Sequence, residues 1–538
     1  MAFYTDPSVT RDFALSGNTL VDLLYDTTDY FRVAWSTVSN GKTVVTYSLP
    51  FANGVASRFE ANYGNGENAA TTTGAISSAQ APAVAAAFQA WADVANLTFS
   101  QVTETAGGQV GDIRIAYSSA ITGGYWGYTL ITSDGADNSH GDIWIGTDQI
   151  GQDFGVGTFN YVAMMHEIGH ALGLAHPFDD GKTNFAAIDN ERYTIMSYTS
   201  PANVWFYDKA IGDYRYLVET PMVYDIAAIQ KIYGANTAFH SGDDTYTYTR
   251  NDPFFATIWD GGGQDTIDLS DFTKGCTVDL TPGSYSTLGF SNTTLDQNLG
   301  IAFDCIVENV TGGAGNDIIT GNSANNFLRG GAGNDAYFVQ NTGDIVKERS
   351  GEGSDTVNSS VSWTMSRYIE TLNLTGSAAI RGTGSRDANT INGNSAANVL
   401  SGGAGDDTLN GMDGADKLIG GIGRDVMTGG AGADKFIFRP GDFGGSTAAT
   451  ADVITDFSHA AHDRINLSAI DANTLNGTGN DAFAFIGSAA FGHHAGELRY
   501  EIVSGTGYVQ GDTNGDGVAD FWIRFDLGPA LVAGDFVL

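Results

Sequence analysis

The chain has 538 residues, with 62 acidic side chains against 25 basic ones and a formal net charge of −37 at pH 7. This charge argues against nucleic acid and anionic membranes as partners, and no apolar stretch is long enough to insert into a membrane as a helix. The length allows two or three domains, and 42% hydrophobic residues with 11% aromatic residues indicate a folded protein rather than a disordered acidic one.

The first part of the chain predicts an α+β domain over residues 19–245. Residues 1–18 lack the positive start and the apolar run of a secretory signal peptide, and we expect a short propeptide there. An Ala-rich apolar pattern over residues 79–94 predicts a helix, with Pro82 tolerated in its first turn. Alternating apolar residues at 112–116 and 142–145 predict strands.

The stretch that begins at His166 carries the clearest chemical signal. It reads H-E-x-x-H-x-x-G-x-x-H, so His166 and His170 share one face of a helix and can bind one zinc ion at about 2.0–2.1 Å. Gly173 lets the chain leave the helix, which brings His176 round as a third ligand. Three protein ligands leave an open position, which is typical of a catalytic zinc ion. Glu167 is placed to take a proton from the attacking water.

A methionine turn follows this motif. In metzincin zinc peptidases such a turn forms an apolar floor beneath the metal, and Met196 has the place and the soft thioether for that role. Together the two motifs resemble the serralysin family, metzincin proteases joined to a calcium-binding repeat domain. Residues 90–99 and 221–236 also resemble this family, whereas an insert at about 340–390 departs from its shorter members.

The resemblance implies roles for further aromatic residues. Tyr198 resembles a tyrosine that acts as a weak extra zinc ligand and stabilises the oxyanion of the scissile peptide bond. An edge strand that binds extended peptide substrate in this family is expected at Tyr125, Trp126, Gly127 and Tyr128. The plainer alternative is that these aromatic residues are core.

Nonapeptide repeats of the form G-G-x-G-x-D-x-U-x begin at residues 312 and 393 and predict a parallel β-roll over residues 246–450. Two nonapeptides make one turn, so loops on one side recur every 18 residues. Calcium prefers hard oxygen ligands, and we expect several structural calcium ions. Their expected carboxylate ligands are Asp265, Asp317, Asp335, Asp407, Asp416, Asp425 and Asp434. Loop carbonyls are expected from Gly312, Gly330, Gly402, Gly420 and Gly429.

Two features of the second half have alternative interpretations. Residues 512–520 resemble the start of an EF-hand loop and would offer calcium Asp512, Asn514, Asp516 and Asp520, but they also fit a hairpin turn. Cys276 and Cys305 could form a disulfide bond or remain two buried thiols.

The C-terminal β domain, expected over residues 451–538, ends in Asp-Phe-Val-Leu. This ending resembles the type I secretion signal of serralysins, although a final strand would look the same. The predicted fold is thus an α+β metzincin domain, an all-β parallel β-roll and a C-terminal β region. The predicted function is a secreted, monomeric zinc endopeptidase that takes protein or peptide substrates of broad specificity and is exported by a type I secretion apparatus. The alternative is a non-enzymatic calcium-dependent adhesin.

Overall fold

The structure is a computed structural model that describes residues 35, 37–52, 67, 73–105, 110–121, 124–130, 141–178, 188–477, 479–503, 505–525 and 531–538. The predicted segment 1–18 lies outside the described residues. The chain divides into two compact units, Met1–Thr266 with Thr281–Val307, and Ile267–Leu280 with Glu308–Leu538. In the described part of the chain, no helix has the length and apolar character needed to cross a membrane.

Three helices lie in the first unit: α1 (Ala81–Val94), α2 (Phe159–Ala171) and α3 (Val223–Tyr233). Helix α1 confirms the helix predicted over 79–94, with proline in its first turn. It buries Phe88 and Trp91, and the Trp91 indole N–H donates to the backbone oxygen of Met165 at 3.1 Å. This contact fixes α1 against α2, the helix that carries the zinc motif.

A seven-stranded sheet lies in the same unit. Its strands are β1 (Val38–Ser39), β2 (Lys42–Ser48), β3 (Thr73–Gly74), β4 (Leu97–Gln101), β5 (Ile113–Ser118), β6 (Gly127–Thr129) and β7 (Ile143–Gly146). β5 and β7 are parallel, whereas β6 runs antiparallel to β7 and lies at the edge. The remaining strands are the hairpin β8 (Trp205–Asp208) and β9 (Asp213–Tyr216), then β10 (Thr245–Thr247), β11 (Ala256–Ile258), β14 (Tyr285–Ser286) and β15 (Leu299–Ile301). A 3-10 turn spans Thr147–Gln149.

The second unit consists of mostly parallel strands. The neighbouring strands β12 (Thr266–Asp268), β16 (Asn309–Thr311), β18 (Phe327–Arg329) and β20 (Ile345–Val346) form one sheet. A second sheet, here called the long sheet, contains β13 (Thr277–Asp279), β17 (Ile318–Thr320), β19 (Ala336–Val339), β21 (Thr356–Ser359), β23 (Thr371–Leu374), β25 (Thr390–Asn392), β27 (Thr408–Asn410), β29 (Val426–Thr428), β31 (Asp452–Ile454), β36 (Phe521–Phe525), β35 (Thr506–Asp512), β34 (Glu497–Val503) and β33 (Ala484–Phe485).

A third sheet, here called the short sheet, contains β22 (Trp363–Thr364), β24 (Arg381–Thr383), β26 (Val399–Ala404), β28 (Lys417–Ile422), β30 (Lys435–Ile437), β32 (Arg464–Asn466) and β37 (Phe536–Val537). Leu400 pairs with Leu418 in this sheet, and Leu409 pairs with Met427 in the long sheet. All four side chains are fully buried. The predicted 18-residue register is therefore confirmed, and the apolar position of the repeat faces inward.

Residues 340–390 add strands to these same sheets. β21 pairs in parallel with β19 and β23, and β22 pairs with β24. The segment that departs from shorter serralysins therefore lengthens the roll rather than interrupting it. At the other end of the unit, the 3-10 turn Ala533–Asp535 leads into β37, which pairs with β32. The Asp-Phe-Val-Leu ending thus contributes the last strand of the short sheet.

Candidate functional site

Helix α2 positions two of the three motif histidines. The Thr158 hydroxyl caps its first turn by accepting the backbone N–H of Tyr161, and the helix ends at Ala171. Gly173 then adopts a φ of +101°, a shape that a side chain disfavours. The Leu174 N–H donates back to the Gly169 oxygen at 3.0 Å, so the chain turns sharply after the helix. This turn brings His176 to the histidines of α2.

The three imidazoles converge on one point. The Nε2 atom of His170 lies 3.1 Å from that of His166 and 3.0 Å from that of His176, and the third pair is 3.3 Å apart. Two nitrogens that bind one tetrahedral zinc ion at about 2.0–2.1 Å lie about 3.3 Å from each other. The donor set and its spacing therefore fit a zinc site, and these residues form a group that could hold a metal ion.

Hydrogen bonds orient two of these rings. The Nδ1 atom of His166 lies 2.7 Å from the Ile195 carbonyl oxygen, and that of His170 lies 2.8 Å from the Leu174 carbonyl oxygen. A carbonyl can only accept, so each Nδ1 carries the proton and each Nε2 presents its lone pair. Burial lowers the pKa of His166 to about 4 and holds that of His170 well below its ordinary value. Both imidazoles are therefore in the neutral form that binds metal.

Glu167 lies beside this group and is held by a residue that the sequence did not single out. Thr129, at the end of edge strand β6, donates its hydroxyl to Oε2 of Glu167 at 2.7 Å. Burial raises the pKa of Glu167 to about 7, and this hydrogen bond opposes the shift. A carboxyl group in that range can both take up and release a proton near neutral pH.

The methionine turn lies beneath α2. Met196 is fully buried, and a Cβ added at Gly169 would lie 2.8 Å from its sulfur atom. Asp225, in the first turn of α3, fixes the turn: its carboxylate accepts the Thr194 hydroxyl at 2.6 Å and the Ile195 N–H at 2.8 Å. It also caps its own helix by accepting the Met222 N–H at 2.8 Å. Since the Ile195 carbonyl accepts from His166, a single residue, Ile195, connects Asp225 to a predicted zinc ligand.

Tyr198 is exposed and lies among the rings of the site. Its ring centroid is 4.7 Å from that of His176 and 5.5 Å from that of His166. Phe178 adds a fourth ring, stacked on His176 at 4.8 Å with an angle of 10° and lying 4.9 Å from Tyr198. Phe178 follows the motif by two residues and had no pattern of its own, so sequence reasoning missed it.

The predicted substrate strand lies at the sheet edge, but its residues differ in exposure. Tyr125 is 71% exposed, whereas Trp126 is half-buried and donates its indole N–H to the Asn160 side chain at 2.8 Å. Gly127 and Tyr128 belong to β6. Tyr128 packs against a small core cluster that includes Trp144. Tyr128 is therefore partly a core residue, as in the plainer alternative. Substrate binding along this edge stays a prediction.

The predicted calcium ligands of the second unit form two ladders. In one, the N–H of Asp407 donates to Oδ1 of Asp425 at 2.8 Å; in the other, the N–H of Asp416 donates to Oδ1 of Asp434 at 2.8 Å. The same pattern joins Asp317 to Asp335 at 2.7 Å. The second carboxylate oxygen is buried without a hydrogen-bond partner at Asp335, Asp407, Asp416, Asp425 and Asp434.

The loop glycines lie against these oxygens. A Cβ added at Gly429 would lie 2.5 Å from Oδ2 of Asp434, and similar overlaps with the carboxylate five residues on occur at Gly312, Gly330, Gly402 and Gly420. Burial raises the pKa of Asp407 to about 7 and that of Asp425 to about 6. Buried carboxylate oxygens that face backbone oxygens need a cation, so these loops fit calcium.

The ladders continue beyond the recognisable repeats. Asp425 donates its N–H to Asp452 at 2.9 Å, and Asp434 donates to Asp463 at 2.9 Å. These partners are 27 and 29 residues further on, so the 18-residue period of the repeats does not predict them. In the first unit, Asp265 is fully buried and accepts the Asp244 N–H at 2.8 Å.

The 512–520 loop joins β35 to β36 as a hairpin. Asp512 accepts the N–H groups of Gly515 at 2.6 Å and Gly517 at 2.8 Å. The loop also uses Asn514 Oδ1 to accept the Asp516 N–H, and Asp520 accepts the Thr513 N–H at 2.7 Å. The loop thus satisfies these oxygens itself, and calcium binding there stays a prediction. Cys276 and Cys305 are both buried thiols, as in the second of the two alternatives for this pair.

Comparisons with known proteins agree with this arrangement. A family model described as Peptidase M10 serralysin C terminal matches residues 223–379 and 353–538, and one described as Matrixin matches residues 68–196. The metalloprotease AprA of Pseudomonas entomophila is 37% identical over 267 residues, which are 45% of this chain and 53% of that protein. The serralysin of Proteus mirabilis is 32% identical over 271 residues, 44% of this chain and 53% of that protein.

The chain thus spans about half the length of the curated relatives it matches. Among solved structures, the AlgE6R3 subunit of the Azotobacter vinelandii mannuronan C5-epimerase is 26% identical and covers 29% of this chain and 80% of its own, with a TM-score of 0.22 that is too low to support an argument. The serralysin model, in contrast, matches more than half of the chain. The chain therefore belongs to the serralysin family of metalloproteases.

Proposed function

We propose that this protein is a secreted zinc endopeptidase that hydrolyses peptide bonds of extracellular proteins with broad specificity. The observation that carries the proposal is the convergence of three imidazole nitrogens beside a buried carboxyl group. His166, His170 and His176 would hold the zinc ion. When bound there, zinc supplies Lewis-acid activation of water and of the scissile carbonyl.

Residues of the chain carry out proton transfer and stabilise the negative charge that develops on the substrate. Glu167 takes a proton from the attacking water and delivers it to the leaving amine, while Thr129 holds the carboxyl in place. The Tyr198 phenol donates a hydrogen bond to the carbonyl oxygen of the substrate as negative charge develops on it. Met196 forms the apolar floor.

Broad specificity follows from the way substrate would bind. An extended peptide adds to the free edge of β6 through backbone hydrogen bonds, which are common to all sequences. The exposed ring of Tyr125 lies just before this edge and would contact substrate side chains. Trp126 and Tyr128 support the strand from the side of the protein.

Calcium binding by the roll is the second part of the proposal. Without a cation, the buried carboxylates of the ladders repel one another, so the second unit stays unfolded and can pass through a type I secretion channel. Outside the cell, calcium fills the loops and the roll folds around it. The secreted monomer is then active.

The enzymatic proposal is tested with casein as substrate and three proteins: wild type, Glu167→Gln, and Glu501→Gln as a charge-matched control in the second unit. We expect cleavage by wild type and by the control, about one zinc ion per chain in all three, and a loss of at least about 100-fold in Glu167→Gln. Retained cleavage in Glu167→Gln would show that Glu167 is not the base. A folded, zinc-loaded wild type without cleavage would favour the calcium-dependent adhesin.

The calcium proposal is tested on the same wild-type chain by circular dichroism during EGTA titration. We expect the strand signal of the second unit to be lost and to return when calcium is restored. An unchanged spectrum after the bound calcium has been removed, as measured by metal analysis, would contradict the proposal.

A further inference from the structure

The short sheet carries a column of basic side chains on its outer face. Arg381 pairs with Val399, Val399 with Lys417, Lys417 with Lys435, and Lys435 with Arg464. Neighbouring strands are about 4.7–4.9 Å apart, so the column, here called the basic column, extends over about 19 Å in four steps. Arg381, Lys417 and Lys435 are exposed and Arg464 is partly exposed.

This distribution of charge is uneven. The chain has 25 basic residues against 62 acidic ones, yet four of the basic residues lie in one column. The strands of the short sheet contain no acidic residue, and the strands of the long sheet from β13 to β31 contain no basic one. The same repeat position that holds Lys417 and Lys435 holds Thr390 and Thr408 in the long sheet. The repeat itself therefore does not require a cation there.

Ion pairs within the molecule do not account for the basic column, although the Arg464 guanidinium donates to the Asp463 carbonyl oxygen at 3.1 Å. Within the described part of the chain, the structure contains no ion pair to Arg381, Lys417, Lys435 or Arg464. The carboxylate that precedes Lys435 is that of Asp434, which is fully buried and accepts the backbone N–H of Asp416. Like charges on adjacent strands are destabilising, so the free protein bears a cost at three consecutive positions.

We propose that the basic column is a binding site for a linear acidic polysaccharide that bears carboxylate groups. A small anion would reach one or two of the cations, whereas a polymer with repeated charges reaches all four. The adjacent column on the same face offers polar groups for sugar hydroxyls at Thr383, Ser401 and Asn466, with the apolar Ile419 and Ile437 between them. The outer positions of these paired strands carry no aromatic side chain for base stacking, which favours a polysaccharide over single-stranded nucleic acid.

The test measures binding of the calcium-loaded full chain to carboxymethyl dextran, with unmodified dextran as the neutral polymer. The site variant is Lys417→Gln/Lys435→Gln/Arg464→Gln. The control variant, Arg349→Gln/Arg386→Gln/Arg424→Gln, removes three exposed charges from turns of the same unit. Both variants have the same net charge. Casein cleavage and calcium content serve as checks of folding, and Lys417→Arg/Lys435→Arg tests whether cations alone suffice.

We expect wild type to bind carboxymethyl dextran but not dextran, with affinity falling as salt rises. The site variant should bind about 3- to 100-fold more weakly, which is the effect of three exposed ion pairs. The control variant and Lys417→Arg/Lys435→Arg should bind like wild type. Equal loss in the control variant, unchanged binding in the site variant, or binding by wild type only to duplex DNA or to anionic phospholipid vesicles would overturn the proposal. None of these outcomes depends on the zinc site.

Discussion

Replacement of Asp225 tests whether the methionine turn sets the geometry of the zinc site. The Asp225 carboxylate is fully buried and accepts hydrogen bonds from the Thr194 hydroxyl and from the N–H groups of Ile195 and Met222. Asp225→Ala leaves these three donors without an acceptor in an interior that water reaches poorly. We expect the variant to lose both stability and affinity for zinc.

The magnitude follows from the donors. An unsatisfied buried donor costs about 1–3 kcal/mol, and the three share one cavity, so we expect about 3–5 kcal/mol lower free energy of unfolding rather than the full sum. The Ile195 carbonyl would also shift, and it orients His166 through a 2.7 Å hydrogen bond. Loss of a group that orients a metal ligand lowers metal affinity about 10- to 100-fold.

Asp225→Asn is the matched control. Its amide oxygen can accept both N–H groups, as Oδ2 of Asp225 does, and the Thr194 hydroxyl can rotate to accept from the amide nitrogen. We expect this variant to stay within about 10-fold of wild type in zinc affinity. Urea unfolding and zinc competition with a chelating dye measure the two quantities. If Asp225→Ala kept wild-type zinc affinity, the link from α3 to His166 would be refuted.

Three further outcomes are expected. Gly169→Ala places a Cβ 2.8 Å from the Met196 sulfur and should lower the unfolding free energy by about 1–3 kcal/mol, measured in urea. A stability equal to wild type would mean that the Met196 side chain moves aside at no cost in free energy. Tyr198→Phe should lower kcat by about 10- to 100-fold with little change in KM; an unchanged kcat in Tyr198→Phe would argue against a hydrogen-bonding role. Cys276 and Cys305 are both buried thiols, so a reductant should leave Tm unchanged; a fall in Tm would indicate a disulfide bond.

Local patterns predicted those parts of the structure that depend on residues close together in the chain. The spacing of His166, His170 and His176 follows from helix periodicity and one glycine, so the zinc group could be read directly. The 18-residue register of the roll follows from a repeat of fixed length in the same way.

Contacts between distant segments had no such signal. Thr129 reaches Glu167 from a strand 38 residues earlier, and Asp225 reaches Ile195 from a helix 30 residues later. A lone threonine or aspartate carries no pattern that identifies its partner. Asp452 and Asp463 extend the ladders, but longer connections of 27 and 29 residues conceal their period. The basic column likewise depends on strand pairing, which places residues 18 to 29 apart in the chain on one face.

The two metals should differ in what they support, because the carboxylates around them differ. In the first unit, Asp142 forms an ion pair with Arg114 at 2.6 Å, and the Asp225 carboxylate receives three donors, so these two buried carboxylates are satisfied by protein groups. In the second unit, the Oδ2 atoms of residues such as Asp416 and Asp434 have no protein donor.

Removal of zinc by a chelator selective for it should therefore abolish cleavage while the circular dichroism spectrum keeps its folded form, because only the histidine group loses its ligand. Removal of calcium should unfold the roll, because buried unpaired carboxylates are too costly to retain. Adding back each ion in turn distinguishes the effect of zinc from the effect of calcium. If zinc removal alone unfolded the chain with calcium still bound, the hydrogen bonds of the first unit would not be sufficient to keep that unit folded. The prediction that zinc supports catalysis and calcium supports folding would then be wrong.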